Sequence, residues 1–157
     1  MPVTTHPPLL VPERIRHLKK TESKKCVFDS LTELLAKGQS EVSQHEIFDA
    51  LISREKLGNT YIGNQVAIPR AHLNITNARA ALLILKKGLK LNSADKQDIR
   101  VFLGILIPES EHERFKVRLS ELNKKLLKEK TLSKLIKSGN PELLSSYFKN
   151  LLNPENN

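Results

Sequence analysis

The stretch QVAIPRAHLNI, residues 65 to 75, sets Arg70 and His72 two positions apart at the end of an apolar run. A neutral imidazole offers a nitrogen lone pair near neutral pH. A guanidinium offers none, but it is a permanent cation whose planar fork binds carboxylate or phosphate. Val66, Ala67 and Ile68 read as a short buried strand. Pro69 stops its ladder, having no N–H to give, and delivers Arg70 and His72 into a loop. Along an extended segment, residues two apart face one side, so His72 can point where Arg70 points.

The other chemistry-bearing residues form no constellation. His6, His17, His45 and His112 read as surface residues, and no pair has the i, i+4 spacing of a helical zinc site. The single cysteine, Cys26, excludes an internal disulfide and a zinc site of the usual thiolate kind. On the first helix it is expected to be a small core residue and not a nucleophile. Asp29, Asp49, Asp95 and Asp98 form no metal pattern, and Gly58 and Gly63 lack the Gly-Lys-Ser/Thr ending of a phosphate loop. No cofactor and no metal is expected.

The elements that must position Arg70 and His72 follow from periodicity. From Thr21, Val27, Leu31, Leu34 and Leu35 fall on one helical face, and Gly38 supplies a stop. Ser43 and Glu46 form a capping box for a helix that buries Ile47, Ala50 and Leu51 and closes at Gly58. The runs QVAI, AALLIL (80–85) and VFLGILI (101–107) are nearly continuous apolar segments, as strands covered on both faces are. The polar link between the last two is expected to make turns. Pro108 ends the third run, and Ser110 with Glu113 predicts another capping box. Phe115, Leu119, Leu122 and Leu126 repeat at helical spacing; a short helix around Leu132, Leu135 and Ile136 ends near Gly139. Asn140 and Pro141 predict the cap and first residue of a last helix carrying Leu143, Leu144, Phe148 and Leu151. The fold class is α/β: a single-domain sandwich with a small mixed sheet and helices on both faces.

The chain has 157 residues, which favours one domain. The Pro-rich residues 1 to 12 read as a flexible arm and not a signal peptide, with the domain over 13 to 153. No apolar run approaches the ~20 residues that span a bilayer, so a cytoplasmic protein without membrane insertion is expected. The formal net charge is +9. Between Arg114 and Lys137 nine basic residues face only Glu121 and Glu129. Such a surface favours acidic partners or simply keeps a helix face solvated. No recognition motif or aromatic platform accompanies the charge, so a nucleic-acid partner is not expected.

Residues 51 to 73, LISREKLGNTYIGNQVAIPRAHL, resemble the signature of phosphotransferase-system (PTS) EIIA type-2 domains, above all the nitrogen-regulatory, PtsN-like type. In that family R-E-x-x-G-x-T-G-I-G-x-G-[IV]-A-I-P-H runs into the active site. Arg54, Glu55, Gly58, Thr60, Ile62, Gly63, Ala67, Ile68 and Pro69 stand where the pattern asks. ESKKCVFDSLTELLAKG resembles the family's first helix, and the segment from VFLGILIPE to LSKLI resembles its last strand and following helices.

The resemblance implies a protein that accepts a phosphoryl group from a small phosphocarrier protein on the histidine after Ile-Pro. Here that position is Arg70, and the position of a second active-site histidine is Val117. Arginine has no acceptor lone pair and valine cannot move a proton, so no catalytic residue is expected. Tyr61 and Gln65 replace loop glycines and are expected to crowd or reshape the pocket. The implied protein is a degenerate, non-phosphorylatable IIA-like regulator, a pseudoenzyme that works by binding target proteins such as transporters or sensor kinases. Its binding residues are expected to be Arg54, Thr60, Asn64, Arg70 and His72. Two readings of Arg70 stand: a docking point for an anion beside Arg54, or a solvated arginine in a decayed pocket. The competing reading keeps an active phosphocarrier, with His72 as a displaced acceptor; against it, His72 reads as an exposed loop residue, and phosphoryl transfer depends on in-line placement.

Overall fold

Strands Arg79–Leu89 (β5) and Ile99–Pro108 (β6) form an antiparallel pair through the middle of the molecule. Alternation divides their side chains between two layers. Leu82, Ile84, Val101, Leu103, Ile105 and Ile107 enter one apolar cluster, and Ala81, Leu83, Leu85, Phe102 and Leu106 enter the other. Both faces are covered, which is why these runs are apolar throughout. The structure, a computed structural model, describes residues 7–91, 95–128 and 130–153. His6 and the first half of the N-terminal arm, residues 1–6, lie outside the described residues.

Four short strands complete a mixed sheet: Ile15–Leu18 (β1), Tyr61–Gly63 (β2), Val66–Ala67 (β3) and Arg70–Leu73 (β4). The order is β1-β5-β6-β3-β2, with β4 also on β6. β1 runs parallel to β5, β3 and β4 run parallel to β6, and β2 is antiparallel to β3. Helices Lys24–Ala36 (α1) and Gln44–Leu57 (α2) cover one face; His112–Lys128 (α3), Lys130–Ser138 (α4) and Pro141–Leu152 (α5) cover the other. The expected sandwich with helices on both faces is therefore the observed one. A Cβ added at Gly104 of β6 would sit 3.3–3.4 Å from Leu31 and Leu35, so the glycine sets how closely α1 lies on the sheet.

Local signals account for the helix ends. The Ser43–Glu46 capping box is present, with both side chains bonded to the partner residue's amide. Asn140 accepts from the amides of Glu142 and Leu143, as its position before Pro141 predicts. The second expected box is not formed: a 3-10 turn, Glu109–Glu111, carries no side-chain cap and leads straight into α3. Cys26 is exposed, not in the core, because Val27, Phe28, Leu31, Leu34 and Leu35 occupy the buried stripe of α1.

Three segments differ from their expected roles. Apolar strand β5 continues through Lys86 and Lys87 to Leu89, so the first part of the polar link extends the hairpin instead of turning. Arg70 and His72 lie in a strand, not a loop. Pro69 gives no N–H, but its carbonyl accepts from Ile105, and the ladder resumes at Arg70. The arm is tied down earlier than its prolines suggest. Leu9 and Leu10 are buried, and Asn153 Oδ1 accepts from both their amides at 2.8 and 3.2 Å while Nδ2 donates to Leu10 O at 2.7 Å. Arg14 holds the same segment, donating from Nη2 to Leu9 O and from Nε to Ala80 O.

Replacing Asn153 with alanine removes all three bonds and leaves two backbone donors without that partner. Asn153→Ala should lower the unfolding free energy in urea by about 1–3 kcal/mol. It should also abolish hydrogen-exchange protection of the Leu9 and Leu10 amides. Unchanged protection at both amides would show that the staple does not hold the segment.

Candidate functional site

The site is aimed by one parallel ladder. Val66 lies opposite Val101, Ala67 opposite Phe102, Arg70 opposite Ile105 and His72 opposite Ile107, at one constant offset along β6. β3 and β4 are thus a single line interrupted at Ile68–Pro69. Alternate residues of that line share a face. Val66 and Ile68 are buried under α3, α4 and α5, and Arg70 and His72 continue the same row outward. Ala67 and Ala71 face the other layer. The strand geometry therefore brings Arg70 and His72 to one side, as their spacing predicts.

The approach to β3 is a strained turn. Gly63, Asn64 and Gln65 have φ of 104, 54 and 65°. The two non-glycine residues each cost about 1–2 kcal/mol in this conformation, and the turn is offset by bonds on every side. Asn64 donates to Leu126 O and accepts from Ser133 Oγ. Gln65 donates from its side chain to Asp98 O and from its amide to the Tyr61 hydroxyl.

Arg70 and His72 open into a cavity of about 510 Å³ between β4, α2 and α3. Arg54 enters from α2, its Nη1 donating to Gly58 O at 2.8 Å. From α3 come His112, Lys116, Leu119, Ser120 and Asn123, at the spacing of one helical stripe. None of the described lining residues is a carboxylate. Arg70 donates to Ile68 O at 3.1 Å, which fixes its stem against the strand. Burial, then repulsion from Arg54, holds its guanidinium below the usual arginine range; Glu55 opposes this.

His72 Nε2 lies 2.9 Å from His112 Nδ1, with ring centroids 4.4 Å apart. Two imidazoles so placed share one proton, one donating and the other accepting. Burial, then repulsion from His112 and Arg70, holds His72 below its usual 6.5.

Arg54, Arg70 and His72 converge, but the other expected binding residues lie elsewhere. Asn64 is committed to holding the turn. Thr60 is buried and donates from Oγ1 and N to the two carboxylate oxygens of Glu55, which Lys24 Nζ meets at 2.6 Å. It lines a separate cavity of about 270 Å³ on the α1 side of the sheet. Tyr61 lines that second cavity too, and Gln65 turns toward Asp98, so neither crowds the space around Arg70. The Tyr61 hydroxyl donates to Asp95 at 2.6 Å; burial, then this bond, pushes its pKa up to about 12. Val117 is 62% exposed and outside the cavity lining, because the stripe from His112 to Asn123 leaves it on the outer side of α3. Sequence reasoning missed His112, Lys116 and Asn123. Their recurrence on one stripe of α3 was visible, but nothing in the sequence placed that stripe over Arg70.

A mixed sheet between two helical layers, with an Ile-Pro segment feeding a cavity beside the last strand, defines a class of phosphotransferase-system IIA proteins. The family model "Phosphoenolpyruvate-dependent sugar phosphotransferase system, EIIA 2" matches residues 8–151, and the chain belongs to that family. Its likeness within the family is to nitrogen regulatory proteins. A nitrogen regulatory protein homolog of Haemophilus influenzae is 31% identical over 131 residues, covering 81% of this chain and 80% of the relative. The crystal structure of nitrogen regulatory protein IIA-Ntr from Neisseria meningitidis matches with a TM-score of 0.77 at 24% identity, over 88% of this chain and 94% of that one. A complex of enzyme IIA mannitol with phosphorylated enzyme IIB mannitol from Escherichia coli matches with a TM-score of 0.57 at 20% identity, over 83% and 97%. The last two likenesses concern the fold. Among the described residues, no helix is long and apolar enough to cross a membrane.

Because the folded His72 releases its proton more readily than the unfolded chain, the unfolded chain takes up a proton first as pH falls below 6.5. Stability contributed by this group is therefore full above 6.5 and is lost as pH falls through the folded value. An NMR titration should place the His72 midpoint below 6.5 and move it upward in His112→Gln. A midpoint unaffected by that substitution would show that the two rings do not interact.

Proposed function

We propose that this chain is a cytoplasmic, nitrogen-type IIA regulatory protein that binds target proteins and is not itself phosphorylated. The observation that carries the reading is Arg70. The resemblance puts it at the family's acceptor position, and it projects into a cavity whose other permanently charged groups among the described lining residues are Arg54 and Lys116. A guanidinium cannot take phosphorus, but it can hold an acidic group in a fork. Without a phosphohistidine, no charge of about −2 is added or removed at the site, so a partner meets one constant cationic surface. Regulatory targets of the transporter or sensor-kinase kind are the partners implied by the resemblance. The complex of an IIA protein with its IIB partner is consistent with binding through this fold.

The 2.9 Å contact between His72 and His112 favours a second reading, in which His72 is the acceptor and His112 its proton partner. Both readings are decided by one measurement. The chain is incubated with phosphoenolpyruvate, the general relay enzyme and a phosphocarrier, and its intact mass is read. The expected result is no gain. A gain of one phosphate that vanishes in His72→Ala would replace the regulatory reading with an active relay.

A further inference from the structure

We infer that the Arg54–Arg70–Lys116 cavity is a binding site for a phosphoryl dianion, held without covalent transfer. This deepens the regulatory reading and rests on it: the residue that replaced the acceptor becomes part of a receptor for the group it no longer accepts.

The first support is the charge count. Three permanent cations come from three elements, Arg54 from α2, Arg70 from β4 and Lys116 from α3, and no described residue of the lining is a carboxylate. Among the described residues, the carboxylates that act on the site from outside are Glu55, toward Arg70, Glu109, toward His72, and Glu113, whose Oε2 lies 3.8 Å from His112 Nε2. Glu55 is already met by Lys24 at 2.6 Å and by Thr60 at 2.8 Å. A carboxylate ligand would offset one of three charges with two oxygens. A phosphoryl group offers about −2 and three terminal oxygens, which suits several donors converging from different directions.

The second support is the supply of neutral donors. In a neutral imidazole pair joined by one N–H···N bond, the donating ring leaves its outer nitrogen bare and the accepting ring carries a proton on its outer nitrogen. If His112 donates, the outer N–H is on His72 Nδ1; if His72 donates, it is on His112 Nε2, which lies 3.8 Å from Glu113 Oε2. In the same wall, Asn123 Oδ1 is buried without a hydrogen-bond partner among the described residues. Turning that amide by half a rotation would present its N–H in place of the oxygen.

The third support is size. At about 510 Å³ the cavity exceeds what a phosphate ion fills, and Leu119 adds an apolar patch to its lining. This space suits a phosphorylated side chain carried by a protein.

The test is titration of the full chain at neutral pH, followed by the imidazole signals of His72 and His112. The probes are inorganic phosphate, sodium acetate, a peptide carrying a phosphonate-triazole analogue of phosphohistidine, and the same peptide without the phosphonate. Saturable shifts with phosphate, at least about tenfold tighter than with acetate, are expected. Arg70→Gln and the surface variant Lys116→Gln should each weaken phosphate binding by about tenfold, the loss of one charge-assisted bond. Tighter binding of the phosphonate peptide than of phosphate assigns the group to a protein, and equal binding assigns it to the free ion; either supports the site. No saturable shift, equal acetate binding, or wild-type affinity in both variants would overturn it. Inorganic phosphate cannot phosphorylate an imidazole, so this outcome and that of the mass measurement fail separately.

Discussion

The parallel ladder of residues 66 to 73 on β6 is the constraint from which the site follows. A strand has only two faces, and a slip of one residue would exchange them. Val66 and Ile68 are buried in one layer and Ala67 and Ala71 in the other, so a slip would put Arg70 and His72 into the α1–α2 layer and expose apolar side chains. Pro69 does not release this constraint, since its carbonyl keeps the bond from Ile105. The core thus fixes the direction of the two charged or titratable residues before any ligand is considered.

That placement has an electrostatic cost. Arg70 is partly desolvated and repelled by Arg54, and both effects weaken its hold on a proton. Even so, an arginine starts so far above neutrality that it stays charged. The site therefore keeps an uncompensated positive field, which a hydrogen bond to Ile68 O orients but does not neutralise. Histidine yields where arginine does not: the same surroundings push His72 toward its neutral form and into the contact with His112.

The layer architecture was legible because its signals are local and periodic. Continuous apolar runs marked β5 and β6, Ser43 with Glu46 marked the start of α2, and Asn140 with Pro141 marked the start of α5. What was lost depended on distant partners. Ile15–Leu18 is a strand because β5 offers it an edge, and Leu9 and Leu10 are ordered by a side chain near the other end of the chain. In the site, spacing alone put Arg70 and His72 on one side. Thr60 and Asn64 stand in the same motif but support the turn and the Glu55 cluster, a distinction that motif position cannot make. His112 became visible only once α3 was laid over β4.

The bonds from Asn153 to Leu9 and Leu10 join groups separated by 144 and 143 positions. Closing so wide a span comes late in folding, since its entropy loss precedes the contacts that offset it. During synthesis Leu9 and Leu10 must wait until Asn153 has left the ribosome. The nascent protein can assemble its hairpin and early helices first, and it joins these two distant segments only once α5 has emerged.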